Sequence, residues 1–300
     1  MFMALVGLMV LITIFQPNFA TTNNLYLVSR QIALTAIIAL GVFFVILTSG
    51  IDLSVGSIVG LSGFTCGLAM AAGLHPLLAI GVGLLTGAAV GAVNGAIVAY
   101  IGVTPFIVTL GMLGVARGII MVIKHGDSIR EISKPFIDAG NGSLLGISVP
   151  VIILIIVAVI SHVILKYTAF GRRVYAIGGN EEATALSGIN TRSVKFLTYV
   201  ICGMFCAVTG ILYVARFQSA QADAGKGIEL DAIAATVIGG TSLMGGEGSV
   251  IGVLIGGAIM GVIRNGLVLL EISSFWQELI IGAIIVMAAI MDIVRSRRRK

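Results

Sequence analysis

Long apolar runs recur along almost the whole sequence and are separated by short polar segments. A helix needs roughly 20 mostly apolar residues to cross the hydrocarbon core of a membrane. Two weaker runs, 2–15 and 230–245, bring the number of candidate spans to ten. The clear runs are 31–48, 53–72, 77–101, 104–123, 148–165, 196–215, 249–270 and 275–293. The sequence therefore predicts an all-α, polytopic membrane protein with about ten transmembrane helices in one domain, 1–300.

Charge is too scarce to cover a water-exposed surface. Charged residues make up 10% of the chain and hydrophobic residues 58%, and the mean hydropathy is +1.12. Soluble domains normally carry about 25% charged residues, so most of this surface is expected to face membrane lipid. Part of the net charge of +5 lies in a basic tail after the last run: Arg295, Arg297, Arg298, Arg299 and Lys300. That position favours a topology signal and gives no reason to expect a nucleic-acid partner.

The placement of lysine and arginine predicts the orientation. The polar segment 166–195 carries Lys166, Arg172, Arg173, Arg192 and Lys195, and four predicted spans separate it from the basic tail. Positive charge accumulates on the cytoplasmic side, so both should lie there. In the other long loop, 124–147, acidic and basic residues balance, as expected outside. With ten spans, both termini are expected in the cytoplasm.

Two phrases of the first half recur in the second. GIDL at 50–53 is echoed by GIEL at 227–230, and a Gly-Ala to Asn-Gly pattern at 87–95 by a similar one at 257–266. Each pair falls in spans that should run in opposite directions. This is typical of the inverted repeats of transporters. The two predicted halves are about 31–123 and 196–293.

Polar residues at membrane depth are costly, so each needs a reason. Asp52 follows one apolar run and precedes the next, where it could cap the following helix or line a hydrated path. Arg117 and Arg264 should lie near the outer third, where they could extend to the headgroups or line a vestibule. Asn94 and Asn265 could form interhelical hydrogen bonds or face a path.

Signatures of catalysis are absent from the sequence. It contains no phosphate-binding loop of the type that holds ATP, and no cluster of acids, histidines or nucleophiles. The cysteines, Cys66, Cys202 and Cys206, lie within apolar runs and are expected to be buried structural side chains. We therefore expect no enzyme activity, cofactor or metal site in this chain.

The segment 171–195 contains a predicted short helix. Asn180 is a favourable N-cap, Glu181 and Glu182 suit the first turn, and Gly188 should end the helix. An exposed helix with an apolar stripe suits the groove of a partner protein. An ordinary connecting loop is the alternative.

Four motifs together resemble one transporter family. They are TSGIDLSVGS, GVTPFIVTLGMLGVARG, the segment 171–195, and ELDAIAATVIGGTSLMGGEGSVIG. In this order they resemble the permease subunits of binding-protein-dependent ABC importers for monosaccharides, in particular those of the ribose type, and the resemblance covers nearly the whole chain.

The resemblance implies a bacterial cytoplasmic (inner) membrane protein that works as a homodimer. It implies two partners: a two-domain sugar ATPase at the cytoplasmic face, and an external sugar-binding protein that is periplasmic or a lipoprotein. Residues matching the ATPase-coupling region are Asn180, Glu181, Glu182, Ala183, Thr184, Leu186 and Ser187. An ion-coupled secondary sugar transporter is the main alternative.

A neutral sugar requires hydroxyl and amide partners more than it requires charge. We therefore expect the translocation path to use polar residues that lie at membrane depth, together with an aromatic residue at the start of a span. These path candidates are Asp52, Ser54, Asn94, Thr104, Phe106, Thr241, Ser242 and Asn265.

Overall fold

The computed structural model describes the chain from residue 1 to 297, and its side chains through residue 290 except 288 and 289. Of the predicted basic tail, Arg298, Arg299 and Lys300 lie outside the described residues. Helices account for most of the described chain. They are α1 Phe2–Phe15, α2 Thr22–Leu47, α3 Val55–Ala71, α4 Pro76–Ala96, α5 Pro105–Lys124, α6 Lys134–Asn141, α7 Val149–Tyr167, α8 Ala169–Gly179, α9 Glu181–Leu186, α10 Thr191–Phe217, α11 Ile228–Ile238, α12 Val250–Leu269 and α13 Ser274–Arg297.

Helix boundaries follow from local sequence signals. Pro76, Pro105 and Pro150 lie in the first turns of α4, α5 and α7, where a missing N–H costs nothing. A π-helical turn, Ile97–Ile101, extends α4 until Gly102 ends it with φ of 87°. A short 3₁₀ turn, Pro17–Ala20, connects α1 and α2.

Six helices of the described chain are long and apolar enough to cross a membrane: α2, α4 with its π turn, α5, α7, α10 and α12. Three shorter apolar helices correspond to other predicted spans: Phe2–Phe15, Val55–Ala71 and Ser274–Met287. The all-α membrane fold is therefore confirmed, whereas the count of ten spans stays a prediction.

The predicted span 230–245 is wrong at its C-terminal end. Helix α11 has 11 residues and stops at Ile238. At 1.5 Å per residue it is about 17 Å long, well below the roughly 30 Å of a hydrocarbon core. Gly240, Gly245 and Gly246 adopt positive φ values of 83°, 86° and 72°, so the chain continues as an irregular loop to α12. We call residues 239–249 the glycine loop.

Helices α2 and α10 form the centre of the molecule. In their most apolar windows, 83% of α2 residues and 67% of α10 residues are buried, against 22% for α4 and α5. α2 and α10 pack on each other, and the remaining helices surround them. The more exposed helices have apolar outer faces, which suits contact with lipid.

Helices from each half of the chain pack on the central helix of the other half. α3 and α4 of the first half pack on α10, and α11 and α12 of the second half pack on α2. α5 in turn packs on α3, and α13 on α11. Helices α3, α4 and α5 around α10 and helices α11, α12 and α13 around α2 thus show the same order of contacts.

The loop between α5 and α7 contains the structure's small β-sheet. Strands β1, Ser143–Leu144, and β2, Ile147–Ser148, form an antiparallel hairpin just before α7. Ile129 of the same loop pairs with Ala220, which follows α10. This bridge ties the α5–α7 loop to the end of α10.

Candidate functional site

A buried polar cluster forms where α2 gives way to α3. Asp52 lies in the connection between them and is fully buried. Its Oδ1 accepts hydrogen bonds from the Ser54 backbone N–H (2.9 Å) and the Ser54 hydroxyl (2.5 Å). The Asn94 amide of α4 donates to the Ser54 hydroxyl oxygen at 2.9 Å. The structure thus brings together three of the eight path candidates.

Asp52 resembles a helix N-cap, but its hydrogen bond differs from that of a standard N-cap. An N-cap side chain bonds the N–H two or three residues into the helix. Asp52 instead bonds the N–H of Ser54, the residue immediately before α3. Its carboxylate therefore fixes the turn that enters α3 and leaves the amides of the first helical turn to other partners.

Helix α10 closes the cluster from the other side. Tyr199 and Cys202 lie beside the Asp52 carboxyl, and both are almost completely buried. The Tyr199 hydroxyl and the Asn94 Oδ1 have no hydrogen-bond partner within the described part of the chain. The cluster therefore offers unused donors and acceptors, yet in this conformation it is sealed from solvent.

Thr104 and Phe106 lie elsewhere, at the start of α5. Both are exposed, and Thr104 lines an open cleft of about 730 Å³. The opposite wall of this cleft includes Glu181, Glu182 and Arg192. Thr104 is thus next to the predicted coupling segment, and both residues lie beyond the C-terminal end of α4 that carries Asn94.

Thr241 and Ser242 lie in the glycine loop and are buried. The Ser242 N–H donates to the Glu247 carbonyl oxygen, and the Met244 N–H donates to the Ser242 hydroxyl oxygen. Ser242 therefore uses its polar groups to shape the loop. The Thr241 hydroxyl has no partner among the described residues.

Asn265 forms a reciprocal pair with Asn24. The Asn24 amide donates to Asn265 Oδ1 at 3.0 Å, and the Asn265 amide donates to Asn24 Oδ1 at 2.9 Å. This pair joins α12 to α2. It is the interhelical hydrogen bond that the sequence offered as the alternative to a path-lining role.

The two arginines within predicted spans bind protein groups. The Arg117 guanidinium donates to the backbone oxygens of Ala222 and Ala224 and so fastens α5 to the loop before α11. Arg264 of α12 donates from Nη2 to Asp231 Oδ1 at 2.8 Å, and its Nε lies 2.6 Å from Oδ2. Both guanidinium groups bind protein atoms, which differs from the expected extension to the lipid headgroups.

Asp231 was not among the predicted site residues. Its side chain is 5% exposed and pairs with Arg264 across the α11–α12 contact. The signal was present, because an acid in one weak apolar run and a base in the next would each be costly alone. Sequence reasoning treated Arg264 by itself and therefore missed the pair.

The predicted coupling segment forms the expected helix. Asn180 caps α9 by accepting the Ala183 N–H at 2.9 Å, and Gly188 follows the helix with φ of 82°. Glu181 forms an ion pair with Lys195 at 2.5 Å, which ties α9 to α10. Of the seven predicted coupling residues, Thr184 alone is buried, whereas Leu186 is 84% exposed.

Comparison with known proteins places the chain in a family. A family model described as branched-chain amino acid transport system / permease component matches residues 24–289. The chain is 45% identical over 296 residues to the ribose import permease protein RbsC of Escherichia coli, covering 96% of this chain and 92% of that protein.

Two further relatives match over a similar length. The ribose import permease protein RbsC of Bacillus subtilis is 43% identical, covering 98% of this chain and 92% of that protein. The D-allose transport system permease protein AlsC of Escherichia coli is 40% identical, covering 93% and 86%. No solved structure matches the chain significantly. The chain therefore belongs to the family of branched-chain amino acid transport system permease components, as a membrane protein of several apolar helices.

Proposed function

We propose that this chain is the membrane-spanning subunit of an ATP-driven importer that carries a monosaccharide, ribose, across the bacterial inner membrane. The observation that carries the proposal is identity of 43–45% to ribose import permeases over nearly the full length of both chains. The chain supplies the path, and ATP hydrolysis belongs to a partner.

The partners follow from the same relationship. A two-domain sugar ATPase docks at the cytoplasmic face, a sugar-binding protein delivers the sugar from outside, and two copies of this chain form a homodimer in the lipid bilayer. Both termini lie in the cytoplasm. The basic residues of segment 166–195 support this orientation, since positive charge accumulates on that side.

The ATPase-coupling surface consists of α9 and its flanks. Six of the seven predicted residues are exposed, and Leu186 presents a large apolar side chain that is 84% exposed. An exposed leucine on a short, firmly capped helix suits a hydrophobic groove of a partner. These features support docking at Asn180 to Ser187.

The domain consists of two inverted halves, about 31–123 and 196–293. The packing of each half on the central helix of the other half supports this arrangement, because α4 packs on α10 in the same way that α12 packs on α2. The translocation path runs beside the central pair. Its polar contacts are the predicted candidates, of which Asp52, Ser54 and Asn94 already share one cluster.

Reconstitution tests the function. Vesicles containing this chain, the ATPase and the binding protein should accumulate labelled ribose only when all three proteins and ATP are present. Leu186→Asp should reduce uptake and ATPase co-purification by about tenfold or more, because it places a charge in an apolar contact. Leu145→Asp is the matched control, since that leucine is 94% exposed on the β1–β2 hairpin.

Two results would contradict the proposal. Uptake that persists without the ATPase and the binding protein, and collapses with an ionophore, would favour the ion-coupled alternative. Co-purification of the ATPase that is equally strong with Leu186→Asp and with the native chain would remove α9 from the coupling surface.

A further inference from the structure

Two other segments meet at the C-terminus of α8. The first is the end of α2, where Leu47 is the last helical residue. The second is the glycine loop, whose Gly246 N–H donates to the Leu47 carbonyl oxygen at 3.1 Å. The last carbonyls of a helix lack partners within that helix, so this bond gives α2 an external cap.

Gly178 of α8 is packed directly against this hydrogen bond. A methyl group added at Gly178 would lie well within 3.0 Å of both the Leu47 carbonyl oxygen and the Gly246 nitrogen. Side chains do not make contacts this close, so glycine is required. The neighbouring Gly179 has open space at the corresponding position. Of the two glycines that end α8, only Gly178 lacks room for a side chain.

Side-chain hydrogen bonds reinforce the same junction. The Tyr175 hydroxyl of α8 donates to the Gly248 carbonyl oxygen at 3.0 Å, and the Ser49 hydroxyl donates to the Met244 carbonyl oxygen at 2.7 Å. Burial raises the pKa of the Tyr175 phenol, so its hydroxyl stays protonated and able to donate. We call this contact of α8, the α2 end and the glycine loop the α8 junction.

The α8 junction lies between the coupling segment and the buried polar cluster. On one side, Asn180, the N-cap of α9, directly follows Gly179. On the other side, the chain leaves Leu47 and reaches Asp52 before α3 starts. The glycine loop also connects α11 to α12. A displacement of α8 must therefore move both connections, since the backbones touch without intervening side chains.

We propose that Gly178 and Tyr175 are positioning residues that transmit movement of the coupling segment to the α2–α3 connection and the glycine loop. This inference rests on the proposed function, because it assumes that an ATPase moves α9. Because the backbones touch at Gly178, a movement of α8 displaces the end of α2 directly. The Tyr175 hydrogen bond makes the glycine loop move together with α8.

The experiment compares variants in the complete transporter reconstituted with ATPase and binding protein. Gly178→Ala, Tyr175→Phe and the matched control Gly179→Ala are measured for ATPase co-purification, ATP hydrolysis and labelled ribose uptake. Mutations along coupling networks change coupling by severalfold to tens of fold, so uptake per ATP hydrolysed should fall about tenfold for Gly178→Ala and about threefold for Tyr175→Phe. Gly179→Ala should keep the native ratio.

The ratio of uptake to hydrolysis separates transmission from mere folding, because a loss of folded protein lowers both rates together. If Gly178→Ala does not assemble, Tyr175→Phe decides the question, since it removes one hydroxyl and adds no bulk. A native ratio in the assembled variants would overturn the inference while leaving the proposed function intact. A native chain that never binds the ATPase would instead overturn the proposed function.

Discussion

Two pairs of polar side chains in this protein join different helices. Asp231 of α11 meets Arg264 of α12, and Asn24 of α2 meets Asn265 of α12. In an apolar surrounding, an unpaired polar group costs far more than in water. Each pair therefore fixes the relative register of two helices.

The Asp231–Arg264 pair can be tested by removing its negative charge. Asp231→Asn should lower the free energy of unfolding by about 2 kcal/mol. This is less than the roughly 3–5 kcal/mol for breaking a fully buried pair, because the Arg264 side chain is 32% exposed and partly solvated. The midpoint of thermal unfolding in detergent should fall by several degrees. The double variant Asp231→Asn with Arg264→Gln should regain part of the loss. Additive losses would show that the two side chains act independently.

The sequence identified costly residues better than it identified their partners. Asp52, Asn94, Arg264 and Asn265 all stood out because polar groups are rare within apolar runs. Asn265 is 241 positions from its partner Asn24, and only the packing of α12 on α2 joins them. A single sequence does not show which distant residues become neighbours in the fold.

At the scale of elements, glycine determines how closely helices approach. Gly87 of α4 and Gly203 of α10 face each other, and a methyl group at either would lie within 3.0 Å of the other's backbone oxygen. Gly91 lies similarly close to the Tyr199 carbonyl oxygen. Contact between backbones is a common means of helix association in membranes, where burial of apolar surface offers little driving force.

Two single-methyl variants of α4 should differ sharply. Gly91→Ala places its methyl group in the α10 backbone and should cost about 1–3 kcal/mol, as overpacking does. Gly81→Ala meets open space and should be neutral or slightly stabilising, since alanine favours the helix. Folded yield and unfolding midpoint in detergent would distinguish them. Equal values for the two variants would contradict the close α4–α10 contact.

The boundaries of elements were predictable where local chemistry decides them. Proline in the first turns of α4 and α5, and Asn180 before α9, mark helix starts that the structure has. The end of α11 was missed because the apolar run continues through the glycines to about residue 245. Hydropathy measures the surroundings of a segment, whereas positive φ at Gly240 and Gly245 determines its shape.

At the scale of the whole molecule, the buried cluster at Asp52 is closed to solvent. Alternating access requires two conformations whose populations the partners shift. If the path passes beside Asp52, Ser54 and Asn94, then a conformation that admits sugar must open the contact between α10 and the α2–α3 connection. Cys202, fully buried beside Asp52, is a native probe of that opening.

Thiol labelling can detect the open conformation. In a variant with Cys66→Ala and Cys206→Ala, a small maleimide should label Cys202 at least about tenfold faster during turnover with ATP, sugar and binding protein than without nucleotide. A parallel variant with Cys202→Ala and Cys206→Ala keeps Cys66 as the control, because Cys66 lies in a separate apolar cluster with Phe64 and Ile120 and should remain unreactive in both states. If the labelling rate of Cys202 were the same with and without turnover, the path would lie away from Asp52. A residue beside the moving sugar cannot stay inaccessible to solvent throughout the cycle.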